Sequence, residues 1–349
     1  VTTLSPLALC AVPAAAQQNQ EAVEQATVGE AAAQGDTPDQ TTIVVTGTRR
    51  TDRTVADSPV PVDVLSAESL QTTGFTEVNR ALTQEVPSFN FPQPSITDGT
   101  DVIRPATLRG LGPDQTLVLI NGKRRHTASL LNINGSVGRG TSAVDINMIP
   151  TIALSRVEVL RDGAAAQYGS DAIAGVINFQ LRSARNGGRA SITYGQYYTD
   201  VGGVQDYAGV QTGPGNTPVF AADSTTGTNI LAPSYTGSER KRRDGETATL
   251  AAVIAVPIAA EGYLNVAGEY QNRNGTNRTG ADPRRQYNLI AGALDPRELE
   301  FNRFSHRYGD ADVVDYKLWA NAAVPLGGET ELYAFGNINN RDGESAGFY

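Results

Sequence analysis

The stretch from Arg156 to Arg182, RVEVLRDGAAAQYGSDAIAGVINFQLR, constrains the fold of this chain more than any other, because each part carries its own folding cue. Val157, Val159 and Leu160 form a short β-prone run, and Asp162-Gly163 is a turn dipeptide whose glycine accepts a positive φ. Ala164 to Ala166 favour a helical turn, Gly169 and Gly175 end it without a Cβ clash, and Val176 to Leu181 read as a second strand. Strand, turn, helical turn, glycine bend and strand make one compact unit.

What surrounds this unit has to agree with it. No apolar run approaches the roughly 20 residues of a membrane helix, so any contact with a bilayer has to come from strands. The net charge of −9 excludes a broad phosphate-neutralising surface and hence a nucleic-acid partner. Two basic clusters, Lys123-Arg124-Arg125 and Arg240-Lys241-Arg242-Arg243, sit beside turn residues and read as solvated loops. With His126 and His306 the only histidines and Cys10 the only cysteine, and with no G-x-S-x-G or H-E-x-x-H pattern, the residues offer neither a catalytic constellation nor a metal site. The glycine-rich run Arg109-Gly110-Leu111-Gly112-Pro113 lacks the Lys-Ser/Thr pair of a phosphate loop and precedes a strand. The expectation is a protein that is not an enzyme and needs no cofactor.

Residues 1–16 carry no charged side chain and end in Ala14-Ala15-Ala16 before a run of Gln and Asn, which resembles the back half of a secretory signal peptide. Cleavage after Ala16 leaves a mature protein without cysteine. Residues 17–40, mostly Ala, Gln, Glu and Gly, bury too little to offset chain entropy and read as a disordered linker. Residues 41–49, Thr-Thr-Ile-Val-Val-Thr-Gly-Thr-Arg, follow as an isolated β-branched segment able to add a strand to a partner's edge.

Residues 54–182 have the size and patterning of one α+β domain. Val60, Val62, Val64 and Leu65 predict a strand. Ser66 caps a helix starting at Ala67, and Val78 to Glu85 predict a second helix stopped ahead of Pro87. Thr116 to Arg125, TLVLINGKRR, reads as a buried strand, an Asn-Gly turn and a polar exit. From residue 188 the texture changes to period-two alternation separated by Gly, Pro, Asn and Asp clusters. Ala248, Leu250, Ala252, Ile254, Val256 and Ile258 share one face. So do Val314, Tyr316, Leu318, Ala320, Ala322 and Val324, against Asp315, Lys317 and Asn321, with Trp319 the exception. The turns at 259–262 and 326–329 are short, whereas the inserts 200–244 and 272–311 are long and polar.

The opening stretch resembles the closing segment of the plug domain of TonB-dependent outer-membrane receptors, V-E-V-L-R-G-x-x-x-x-x-Y-G-x-x-A-x-x-G-V-I-N. Val157, Glu158, Val159, Leu160, Arg161, Tyr168, Gly169, Ala172, Gly175, Val176, Ile177 and Asn178 match, and Asp162 replaces the usual Gly. Val86-Pro87-Ser88-Phe89 is similar to the family's V-P-G-V step and Leu108-Arg109-Gly110 to its R-G signature, in family order. The resemblance implies an α+β plug domain followed by antiparallel transmembrane β-barrel strands at 188–349, in the bacterial outer membrane and in contact with its lipid. It implies active import of a scarce small-molecule cargo, a ferric siderophore or a carbohydrate, powered by a TonB-type energy transducer of the inner membrane.

Ile43, Val44, Val45, Thr46 and Gly47 then stand in the place of the TonB box that the transducer pulls. Arg109, Glu158 and Arg161 are expected to make plug–barrel contacts. Phe89, Asn90 and Gln93, in a loop at 88–104, and Arg124, Arg125 and His126, at the start of one at 126–142, are expected to meet the cargo. A plugged receptor barrel has about 22 strands, whereas the residues from 188 onward suffice for roughly six. The barrel in this chain is therefore expected to be incomplete, the chain being the N-terminal part of a longer receptor. The alternative is a truncated remnant that binds ligand or transducer without transporting. The cargo's identity is not written in these residues.

Overall fold

The computed structural model describes Thr46 and residues 61–97, 99–133, 137–161, 164–222, 229–328 and 330–346. The signal-peptide and linker readings at 1–40, four of the five box residues (Ile43, Val44, Val45 and Gly47) and the Asp162-Gly163 turn lie outside the described residues.

The first sheet is built from β1 (Val62–Ser66), β4 (Thr116–Ile120), β5 (Lys123–Arg124), β6 (Leu154–Leu160) and β7 (Gly175–Leu181), in the order β1-β6-β7-β4-β5. Only the β4–β7 pairing is parallel. Parallel pairs need cover on both faces, and the unbroken Thr-Leu-Val-Leu-Ile of β4 is buried at every position. On one face Val118, Ile120, Val157, Val159, Ile177 and Phe179 pack with the helices α1 (Ala67–Thr72) and α2 (Val78–Glu85). On the other, Leu117, Leu119, Leu160 and Val176 pack with Ala164 and Ala172, which flank the short α3 (Ala165–Tyr168). A two-stranded ribbon of β2 (Phe89–Asn90) and β3 (Thr107–Leu108) completes this domain.

Local chemistry sets the boundaries. Ser66 Oγ accepts from Ser69 N at 3.0 Å as the N-cap of α1. α2 buries Val78, Ala81 and Leu82 at helical spacing and ends at Val86, which precedes Pro87 and is extended. Asn121 and Gly122 both take positive φ, 47° and 74°, the pattern of a two-residue hairpin turn between β4 and β5. Gly175 has φ 142°, and a Cβ there would collide with the Leu160 carbonyl oxygen and the Leu108 side chain. That close approach explains why the motif requires glycine at its second bend.

The second sheet is an open antiparallel wall of β8 (Gly187–Val210), β11 (Pro233–Ile258), β12 (Gly262–Arg273), β13 (Asp312–Gly327) and β14 (Thr330–Glu344), in the order β14-β13-β12-β11-β8. A small hairpin of β9 (Phe220–Ala222) and β10 (Asn229–Leu231) lies between β8 and β11 in sequence. One face of the wall is apolar and exposed, with Ile192, Tyr194, Leu250, Ile254, Val256, Tyr316, Leu318, Leu332 and Ile338 on it. The opposite face is covered by the first domain, so that Ala251, Val253, Ala267 and Trp319 belong to the same hydrophobic core as Leu70, Leu82 and Phe179. Trp319, the exception to the alternation of β13, points inward because it docks on that domain: its Nε1 donates to Met148 O at 3.0 Å. Among the described residues β8 and β14 are the two free edges, and the barrel is not closed.

One expectation fails here. The insert 200–244 and its cluster Arg240 to Arg243 read as loop, but β8 runs on to Val210 and β11 starts at Pro233, placing all four basic residues inside a strand. The register between these two strands shifts four times, between Ser234 and Tyr235, Tyr235 and Glu239, Glu239 and Arg240, and Asp244 and Thr247. Each bulge resets which residues face inward, so the period-two signal disappears although the strand does not.

Candidate functional site

Two groups of polar side chains fasten the first domain, and they lie at different heights of the wall. The short turns, at 259–261 and between β13 and β14, define one end of the wall; the long connection from β12 to β13, residues 274–311, defines the other.

Near the long-connection end the contacts are ionic. Glu77, at the N-cap of α2, pairs with Arg273 at the end of β12 and with Arg80 one helical turn on, at 2.7 Å. Arg80 also reaches Asp310, the last part of the long connection, at 2.8 Å and donates to the Tyr197 hydroxyl of β8. Arg104, 1% exposed, pairs with the other oxygen of Asp310. Beside this group Arg341 of β14 grips Asp315 bidentately, at 2.7 and 2.8 Å, and extends to Asp145 of the first domain at 2.7 Å.

Burial raises the pKa of Glu77, but Arg273, Arg80 and Arg104 outweigh it and hold the carboxyl well below the usual carboxylate range. Asp310 follows the same pattern: burial raises it, and Arg104 and Arg80 bring it below its ordinary value. Asp145 behaves oppositely, with burial lifting it above its ordinary value despite Arg341.

Nearer the short-turn end the contacts are mainly hydrogen bonds of neutral groups to backbone carbonyls, joined by Arg189 of β8, which donates to Gln71 at 2.5 Å and lies 3.9 Å from Glu68, and by Arg125, which reaches Asn337. Asn321 donates to Arg182 O at 2.9 Å and accepts from Asn121 at 3.2 Å, while Asn265 donates to Ala184 O at 2.9 Å. Asn339 of β14 joins Trp319 on Met148 O, at 3.1 Å.

A third group lies inside the first domain. Glu158 on β6 and Asn178 on β7 face each other in register, and Glu158 is 0% exposed. Thr46 sits on them: its N–H and Oγ1 donate to Glu158 Oε2 at 3.2 and 2.5 Å, and Asn178 Nδ2 donates to Thr46 Oγ1 at 3.0 Å. Arg156 Nε holds the other Glu158 oxygen at 2.8 Å. The Glu and the Asn of the V-E-V-L-R and V-I-N steps thus form one cross-strand receptacle.

The expected contact residues are redistributed. Glu158 has its described partners within the first domain, because it faces β7 and Thr46 rather than the wall. Arg161 pairs with Asp63 at 3.0 Å, and Arg109 donates to Arg161 O at 3.0 Å. The seam instead uses Glu77, Arg80, Arg104 and Asp145. Sequence signalled only a little of it: Asp315, Lys317 and Glu269 interrupt apolar strands, but Lys317 and Glu269 pair with each other within the wall at 2.7 Å, and only Asp315 leads to the plug, through Arg341 and Asp145.

The six expected cargo residues do not converge. Phe89 is buried in the core, where no ligand can stack on it. Asn90 is exposed, and Gln93 accepts from Arg80 at 3.4 Å, on the ionic side. Arg124 pairs with Asp171 and donates to Tyr168 O, and Arg125 is tied to Asn337 at 2.6 Å and lies over the Trp319 ring at 5.3 Å. His126 is exposed, and the Arg125 charge beside it holds its pKa below the ordinary imidazole value. Among the described residues no group of His, Cys, Asp and Glu is arranged to hold a metal ion.

Residues 54–176 match the family model of the TonB-dependent receptor plug domain. A probable TonB-dependent siderophore receptor of Acinetobacter baumannii is 30% identical over 138 residues, 40% of this chain and 18% of that protein. An iron-regulated outer membrane virulence protein of Vibrio cholerae is 33% identical over 151 residues, 43% of this chain and 21% of that protein. The matches thus span about a fifth of the length of these relatives. In fold, the chain is similar to a ferric enterobactin receptor of Pseudomonas aeruginosa, with a TM-score of 0.51 and 16% identity, over 81% of this chain and 33% of that one.

Proposed function

We propose that this chain, whose residues 54–176 match the plug domain of TonB-dependent receptors, serves in transducer-driven import of a small-molecule cargo, a ferric siderophore by likeness to its relatives. In this reading the short turns face the periplasm and the long connection faces the outside. The exposed apolar face of the wall meets lipid, and the free edges of β8 and β14 pair with further strands of the receptor, since unpaired backbone in lipid costs several kcal/mol per group.

The observation that carries the reading is that the plug is held from two sides by different means. Thr46 of the box-like segment is gripped by Glu158 and Asn178, while Arg80 and Arg104 fasten the plug to Asp310 of the outer connection. Cargo that binds the outer connection and weakens the Asp310 pairs shifts the plug between two states, and the transducer captures the segment at 43–47 in the released state. Coupling of this kind requires that cargo and transducer each prefer the same plug state.

The test is capture of the chain in detergent by the periplasmic domain of a TonB-type transducer. Glu158→Gln keeps the shape of the receptacle and removes its charge, and is expected to raise capture by roughly tenfold, the equivalent of about 1.4 kcal/mol. Capture that is undetectable for both proteins, or unchanged by the substitution, overturns the reading.

A further inference from the structure

The outer extensions of β8 and β11 enclose a cavity of about 200 Å³, lined among others by Val204, Tyr207, Leu231, Tyr235, Arg240 and Phe304. Its position follows from the register. Arg243 pairs with Tyr198 and lies over that ring at 4.1 Å, and Arg240 pairs with Val201, three residues farther out, so that the cavity sits roughly 10 Å beyond the exposed tyrosine.

Arg240 is 2% exposed and its guanidinium lies over the Phe304 ring, at 4.8 Å. Among the described residues both its Nε and its Nη2 are without a hydrogen-bond partner. These two N–H groups form the side-on edge of the guanidinium, the edge that matches the two oxygens of a carboxylate. A buried donor pair without acceptors is costly, and the cost is recovered by a ligand that supplies them. The other charged groups lining the space are engaged: Asp282 holds Arg284 at 2.7 Å, and Arg303 holds Glu298 at 2.5 Å. The rest of the lining is aromatic or aliphatic, with Tyr207 edge-on to Phe304 at 5.9 Å and the Tyr235 ring half-exposed at the rim. The volume, that of about six or seven waters, suits a single ring and not a large chelate.

We propose that this cavity is a binding site for a monocyclic aromatic carboxylate, its carboxylate bidentate on the Nε–Nη2 edge of Arg240 and its ring against Tyr207, Tyr235 and Phe304. The site lies in the outer extension, apart from the plug, and goes beyond the import reading.

Calorimetric titration of benzoate into the full chain in detergent tests this without transducer or transport, so that a failure of the import reading leaves it untouched. One site is expected, with acetate and benzamide at least tenfold weaker because each lacks one half of the recognition. Arg240→Lys keeps the charge but loses the fork and is expected to weaken benzoate tenfold or more. Tyr235→Ala, at the rim and outside any core, is expected to weaken it severalfold with unfolding unchanged. Absence of benzoate binding, acetate binding as tightly as benzoate, or both variants binding benzoate like the parent would each overturn the proposal.

Discussion

The plug is sewn to the wall by two seams, and they are made of different material. The outer seam is ionic, with Glu77, Arg80, Arg104 and Asp310 sharing charge with Arg273 of the wall; the inner seam rests mainly on neutral groups, with Asn265, Asn321, Asn339 and Trp319 on backbone carbonyls and only Arg125 and Arg189 adding charge. Neutral hydrogen bonds to carbonyls hold whatever the charge state around them. A buried ionic cluster is stable only while every member is present, since removing one leaves the others uncompensated. The outer seam is therefore the part that a ligand or a proton can disturb, and the inner seam is the seat that stays.

Glu77→Gln tests this most severely. It strands Arg273 and Arg80 and is expected to lower plug stability by about 3–5 kcal/mol in urea titration. Trp319, the chain's single tryptophan, reports seating through its emission wavelength.

Acid should come next in size. The pKa values of Glu77 and Asp310 are depressed in the folded state, so their contribution is complete above the ordinary carboxylate values of 4.5 and 3.8 and is lost as pH falls through the lower folded values. Asp145, raised instead, protonates earlier and its share of stability grows as pH falls through that earlier window. The Trp319 emission is expected to hold from neutrality to about pH 5 and to shift to longer wavelength below about pH 4. A shift centred near neutrality would break the comparison.

Trp319→Phe probes the inner seam. It removes one donor from Met148 O but leaves Asn339 on that carbonyl, so the expected cost is about 1 kcal/mol, read from thermal unfolding by circular dichroism. Salt gives the smallest effect. Raising ionic strength from about 0.1 to 1 M should cost the parent under about 1 kcal/mol, since buried pairs are poorly screened, and should leave the cost of Trp319→Phe unchanged. A large salt dependence of that variant would mean that charge, and not neutral groups, dominates the inner seam.

Local cues were the legible ones. The bounds of α2, the Ser66 cap and the Asn121-Gly122 turn all follow from residues within one or two turns of each other, whereas Trp319, an exception in the pattern, is explained only by the distant Met148. What escaped was long-range or out of phase. Glu77 meets Arg273 across most of the plug and three wall strands, and no local pattern pairs a helix cap with the end of a distant strand. The outer parts of β8 and β11 escaped because alternation is legible where one face of the wall is apolar and the other packs on the plug; beyond that stretch four bulges scramble it. Two of the residues expected to meet cargo have the chemistry of ligand contacts but are engaged otherwise, Phe89 in the core and Arg125 on the Trp319 ring, and no local pattern announces those long-range contacts.

The order of strands in the plug also fixes where mechanical load goes. Thr46 is latched to β6, which lies between two neighbours, but the strand that follows the box in sequence is β1, an edge joined to β6 alone through five residue pairs. Once the latch yields, tension along the chain arrives at this edge and peels it one pair at a time, while β4 and β7 stay shielded behind β6. A force–extension record of the chain pulled from its N-terminal side is expected to show β1 leaving in a separate, low-force step; loss of the whole plug sheet in a single event would mean that β6 carries the load instead.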